Sequence, residues 1–119
     1  MEKRLLAEDR LQQECYMWFH NTFAAARGLL RYNLNNSANA MQGNKNKAMG
    51  LQAGASDMEL HIGGRLFFLE LKVEKGRQSK GQQAWQTLVE AQGFNYYVIR
   101  SKEEFIRVVQ PLLVEHWKG

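Results

Sequence analysis

Hydrophobic residues recur with two different periods along this chain, and the changes of period divide it into elements. Over residues 2–23, Leu11, Cys15, Trp18, Phe19 and Thr22 fall three and four apart, the spacing of one face of a helix. RGLLRYNL, residues 27–34, predicts a short strand after a turn at Gly28. The next stretch, 35–56, NNSANAMQGNKNKAMGLQAGAS, is rich in Asn, Gly and Ala. It predicts a mobile or weakly helical connection, and loops this long in a small domain often serve function. Two alternating runs, DMELHI and RLFFLELKV, then flank Gly63-Gly64, the signature of a two-residue β-hairpin. A basic loop, EKGRQ at 74–78, leads into a helix from Ser79 to about Gln92. Ser79 and Gln82 occupy capping-box positions there, and Gly93 supplies a stop. FNYYVIR, 94–100, predicts a strand. Ser101 and Glu104 predict a second capping box, opening a final helix that Pro111 bends or interrupts. The order is α-β-β-β-α-β-α with a parallel strand-helix-strand crossover, which implies an α/β fold with a mixed sheet flanked by helices.

The hairpin carries the most information. With Gly63-Gly64 as its turn, Ile62 faces Arg65, Leu60 faces Phe67, Met58 faces Leu69 and Asp57 faces Glu70. One face then holds Met58, Leu60, Ile62, Phe67, Leu69, Leu71 and Val73, and is wholly apolar. The other holds Asp57, Glu59, His61, Leu66, Phe68, Glu70 and Lys72. A slip of one residue would bury the wrong set, so the pattern itself selects the register. Facing Asp57 and Glu70 have Cβ atoms about 4.5–5.5 Å apart, where like charges destabilise. A proton, a cation or Lys72 relieves them. Two carboxylates and a main-chain carbonyl are what a hard divalent cation takes, with Mg²⁺ filling its shell from water and phosphate. Lys72, on the same face, suits the orientation or deprotonation of a water, or the holding of a phosphate. Glu-x-Lys alone in a strand is most often a solvated face; Asp57 opposite it, after a Gly/Ala-rich approach, makes it a candidate site.

Composition narrows the setting. At 119 residues, 45% hydrophobic and 24% charged, the chain fits a single domain over 1–119 with a core of its own. Cys15 has no partner for an intramolecular disulfide, which favours a cytoplasmic protein. No apolar run approaches the ~18–20 residues of a membrane span, and MEKRLLAEDR reads as a charged helix start, unlike a signal peptide. The net charge of +4 and pI of 9.4 suit a polyanionic partner such as nucleic acid.

Together, G54-A-S-D57, the hairpin, L69-E-L-K72, G76-R-Q-S79, Gln82 and Trp85 resemble the VRR-NUC family of the PD-(D/E)XK nucleases. The resemblance runs over roughly residues 8–109, and the string E-L-K-x-x-x-G-R-x-S-x-x-Q-x-x-W is its specific part. Ser56 departs from the family, which has Pro before the metal-binding Asp. The resemblance implies a restriction-endonuclease-like αβββαβ core with an extra C-terminal helix. It also implies a Mg²⁺- or Mn²⁺-dependent nuclease acting on DNA. Asp57, Glu70 and the Leu71 carbonyl would be metal ligands, Lys72 the catalytic lysine, and Gln82 a residue completing the site. An acidic residue on the first helix is also implied. Glu8 is preferred, because Leu11, Gln12, Cys15, Phe19 and Thr22 all lie within about 60° of it on a helix. Glu14, about 120° away, is the alternative.

Lys75, Arg77 and Lys80 flank the candidate site and are expected to touch phosphates, near the anion-favouring start of the helix at Ser79. Arg31, Lys45 and Lys47 are weaker candidates of the same kind. His61 reads as a surface or DNA-facing residue, and His20 and His116 as solvent-facing. Stand-alone members of the family resemble phage or prophage resolvases, so branched DNA such as a four-way (Holliday) junction is the expected substrate. A homodimer would match its twofold symmetry. A DNA-binding module that does not cut is the alternative.

Overall fold

Residues 2–34, 40–52, 54–73 and 75–119 are described by a computed structural model. Parts of the predicted 35–56 connection, residues 35–39 and 53, and Glu74 of the basic loop lie outside the described residues. The elements are α1 (Glu2–Thr22), a 3₁₀ turn (Ala24–Ala26), β1 (Leu30–Tyr32), α2 (Ala40–Ala48), β2 (Met58–Ile62), β3 (Arg65–Leu71), α3 (Lys80–Ala91), β4 (Asn95–Ile99) and α4 (Lys102–His116). The strands form one sheet in the order β1-β2-β3-β4. The first two pairings are antiparallel and β3–β4 is parallel, as an α3 crossover requires.

The hairpin register is the one the alternation selected: Ile62 pairs with Arg65, Leu60 with Phe67 and Met58 with Leu69. Gly63 and Gly64 have φ of +60° and +75°, the left-handed pair that a two-residue turn needs. The two faces of β3 enter two cores. Phe67, Leu69 and Leu71 pack with Met58, Leu60 and Ile62 beneath α1 (Leu11, Cys15, Phe19) and α4 (Phe105, Val109, Leu112, Leu113). On the opposite face Phe68 packs with Val89 and Tyr96 beneath α3, its ring meeting Trp85 edge-on at 5.6 Å. Burying a side chain the size of Phe68 contributes roughly 1.5–3 kcal/mol, enough to seat α3 on this face.

The predicted capping box forms in full at Ser79, and at Ser101 only its first half forms. Ser79 Oγ accepts from Gln82 N while Gln82 Oε1 accepts from Ser79 N, a complete capping box. At α4, Ser101 Oγ accepts from Glu104 N, and the Glu104 carboxylate accepts from Arg100 N. Pro111 does not interrupt α4, which runs through it from Lys102 to His116. Val109, Leu112 and Leu113 are buried on either side of it, and their burial offsets the roughly 3 kcal/mol that an interior proline costs. His116 is not solvent-facing: its ring packs on that of Phe67 at 5.4 Å, tilted by 35°, and its side chain is only 15% exposed. The hairpin turn docks on the end of α4 and covers it. The weakly helical connection is α2, nearly all of whose described side chains are exposed.

Candidate active site

Where the β2–β3 ladder stops, the acidic residues begin. Met58–Leu69 is the last paired position. Asp57, one residue further, is not a ladder partner of Glu70 as the simple register count has it. Its Oδ2 instead accepts a 2.6 Å bond from Leu71 N. The carboxylate thus closes the end of the ladder and lies beside the Glu70-Leu71-Lys72 segment. In an extended strand the N–H and C=O of one residue point to the same edge, so the Leu71 carbonyl is presented on the Asp57 side.

The Asp57 loop is anchored from two directions. Asn33, just past β1, donates from its backbone N to Asp57 O (2.8 Å) and from Nδ2 to Ser56 O (3.2 Å) and Glu59 Oε2 (2.9 Å). Ser56 is fully buried, and its hydroxyl donates to Met58 O. On the other side Gly54, at φ +82°, lies against the first turn of α3. A Cβ there would overlap the Gly81 carbonyl carbon and stand 2.5 Å from Gly81 O and 2.8 Å from Gln82 N. Two glycines therefore let the loop touch the helix backbone to backbone.

Glu70 is fully buried on the α3 face of β3. One oxygen is held firmly: Oε1 accepts from Tyr96 O–H at 2.5 Å and from Gln78 Nε2 at 3.1 Å. Gln78 also donates to Gln86 Oε1 (2.8 Å), and Gln86 to Glu90 Oε2 (3.3 Å), a chain of amides running down α3. The other oxygen, Oε2, is buried without a hydrogen-bond partner, and so is Oε2 of Glu8. An unpaired buried carboxylate oxygen is costly, and a bound cation or proton is the usual remedy.

The electrostatics connect these groups. The Asp57 carboxyl is pushed up from 3.8 to about 6, first by burial. The bond from Leu71 N opposes the shift, the charge of Glu70 adds to it, Lys72 opposes it and Glu8 adds to it. Tyr96 is pushed above its ordinary range by burial, by its bond to Glu70 and by the charges of Glu70, Asp57 and Glu90. Glu8 and Lys72 meet at Gly76: a Cβ on that glycine would lie 3.0 Å from Glu8 Oε2 and 3.4 Å from Lys72 Cδ. Arg100, at the end of β4, holds this loop by donating from Nη1 to Val73 O (3.1 Å) and Gly76 O (2.7 Å).

Asp57, Glu70, Lys72, Leu71 and Glu8 are thus brought to one end of the sheet. Glu14 is exposed and borders a separate cleft with Arg10, Met17 and Lys102. Gln82 has its amide oxygen in the α3 cap, and Gln78 is the glutamine that reaches Glu70. Lys75, Arg77 and Lys80 are exposed around the loop, and Arg31, Lys45 and Lys47 are exposed further away. His61 pairs with Glu59 (3.2 Å). Among the described residues no three His, Cys, Asp or Glu side chains make a metal site by themselves. The donors present fit a hard cation that takes Asp57, Glu70 and the Leu71 carbonyl and fills its shell with water and phosphate oxygens.

Sequence reasoning missed Tyr96, Gln78, Asn33 and Arg100. Tyr96 had a readable signal, since it pairs with Phe68 and so shares the face of Glu70. Gln78 and Arg100 act through loops, where no periodicity marks them.

No family model matches the chain, and no curated protein matches its sequence. A solved structure described as a VRR_NUC domain protein does match in three dimensions, with a TM-score of 0.70 over 90% of this chain and 88% of that one, at 18% identity. The chain has the VRR_NUC fold. The αβββαβ core followed by α4 is its version of that fold, with the acidic cluster at the end of the β2–β3 hairpin.

Proposed function

We propose that the chain is a metal-dependent endonuclease that hydrolyses phosphodiester bonds in DNA, selecting branched forms such as four-way junctions. The observation that carries this reading is Glu70: buried, with one oxygen held by Tyr96 and Gln78 and the other unpartnered, beside Asp57 and Lys72 on the VRR_NUC fold. Asp57, Glu70 and the Leu71 carbonyl would hold Mg²⁺ or Mn²⁺. When bound, the ion would polarise the scissile phosphate and lower the pKa of a water. Tyr96 and Gln78 fix which Glu70 oxygen faces the site. Lys72 supplies a cation beside Asp57 and Glu8, suited to a phosphate oxygen or to the developing charge. Lys75, Arg77 and Lys80 would hold the flanking backbone at the start of α3. A symmetric dimer would suit the twofold symmetry of a junction, and the cytoplasm is the compartment we assign. No helix among the described residues is long and apolar enough to cross a membrane.

The test incubates pure protein with a four-way junction, a flap and a plain duplex, in Mn²⁺ or in EDTA. The expected result is metal-dependent cutting of branched DNA, abolished by Asp57→Ala, Glu70→Ala and Lys72→Ala with folding retained. Full cleavage by Lys72→Ala would overturn the assignment. DNA binding with no cleavage in any metal would favour the non-cutting module.

A further inference from the structure

A second feature lies at the same end of the sheet. Between α1 and the edge strand β1 is a cleft of about 400 Å³ lined by Asp9, Gln12, Gln13, Tyr16 and Tyr32. Each wall includes a chain neighbour of a residue that carries or anchors the acidic cluster. Asp9 follows Glu8 directly, and Tyr16 stands two turns beyond Asp9 along α1, about 10.5 Å at 1.5 Å per residue. Tyr32 precedes Asn33, whose backbone N bonds to Asp57 O. Both rings are open, Tyr16 at 38% exposed and Tyr32 at 53%, and Tyr16 is backed by the His20 ring at 5.8 Å.

We infer that this cleft, with Tyr16 and Tyr32 as its walls, binds an unpaired nucleobase of the DNA whose backbone lies across the acidic cluster. The inference rests on the nuclease reading and supplies it with a source of structure selectivity. The chemistry selects a base over a phosphate. Asp9 in the cleft and Glu8 beside it repel an anion, while a neutral base stacks on aromatic rings whatever its sequence. The amides of Gln12 and Gln13 offer donors and acceptors for a base edge, and Asp9 accepts from exocyclic amino groups. A base inside a duplex cannot enter, because its faces are already stacked. One at a bulge, a junction or a flap enters with little unstacking cost.

The test measures binding in EDTA, where no cleavage confuses it. The probes are a duplex with one bulged 2-aminopurine and the same duplex fully paired. The wild type is expected to bind the bulged DNA more tightly and to quench its fluorescence. Tyr16→Ala and Tyr32→Ala should each weaken bulged-DNA binding roughly five- to hundredfold, lose the quenching and leave paired-duplex binding within about twofold. Tyr16→Phe and Tyr32→Phe, which keep the rings, should behave as wild type. Equal losses on both DNAs, no loss on either, or Phe variants as weak as Ala would overturn the inference. If the protein cuts branched DNA while the Ala variants bind the bulge normally, this inference alone falls. If the wild type binds neither DNA in EDTA, this inference falls, while the nuclease reading is decided separately by the cleavage assay in Mn²⁺.

Discussion

Replacing Asp57 with Asn should stabilise the protein, and the gain should depend on pH. In the folded chain the Asp57 carboxyl is raised from 3.8 to about 6, chiefly because it is buried. A raised carboxyl means that the folded state holds its proton more tightly than the unfolded chain does. The stability from that proton is complete below about pH 4 and is lost as pH rises through about 6. At about 1.4 kcal/mol per pH unit, the loss is on the order of 2–3 kcal/mol by neutral pH. Asn at this position carries no charge, and its amide oxygen still accepts the bond from Leu71 N. Asp57→Asn and wild type should therefore have similar unfolding free energies near pH 4, and the variant should lead by roughly 2–3 kcal/mol near pH 8. Urea denaturation at both pH values, in EDTA, measures this directly. Adding Mn²⁺ gives a second arm. Saturation at a hundredfold over the dissociation constant adds about 2.7 kcal/mol to a protein that binds it, so wild type should recover its deficit and Asp57→Asn should gain little. A variant no more stable than wild type near pH 8, or a difference that is the same at both pH values, would refute the reasoning.

Other consequences follow from the same geometry. Gly54→Ala should cost about 2–4 kcal/mol in urea unfolding, because the new Cβ combines a left-handed backbone with overlap on Gly81 that no side-chain rotation relieves; unchanged stability would mean that the loop is not seated on α3. Tyr96→Phe removes one of two donors from buried Glu70 and should cost about 1–3 kcal/mol, and Mn²⁺ titration should show weaker binding; normal Mn²⁺ affinity would mean that Tyr96 does not orient the carboxylate. Replacing Lys75, Arg77 and Lys80 together with Ala should leave stability unchanged, since all three are exposed. The salt dependence of DNA binding should lose roughly 0.9 in log–log slope for each phosphate contact removed; an unchanged slope would place the DNA elsewhere.

The parts of this fold that were legible are those written in short-range pattern. Strand alternation selected the pairing of Ile62 with Arg65, because any slip would have put Glu59 and His61 into the core. Caps at Ser79 and Ser101 were legible because the partners lie three residues apart. Helical spacing favoured Glu8 over Glu14, and Glu8 is the one whose charge reaches Asp57. Pro111 does not break α4 and His116 is not open to solvent, for one reason: local propensity is outweighed by burial of neighbours that only the packed α4 makes visible.

From residue order alone came two carboxylates and a lysine at the end of a hairpin. Their environment came from folding. Glu70 and Tyr96 are 26 residues apart in the chain and meet only because β4 lies parallel to β3. Gly54 touches Gly81 because the Asp57 loop and the start of α3 lie at the same end of the sheet, and Arg100 reaches Gly76 across 24 residues. Periodicity reports which way a side chain points within its own element, since that depends on near neighbours. Which partner waits there depends on how distant elements pack, and that contact decides which Glu70 oxygen is held and which is left open.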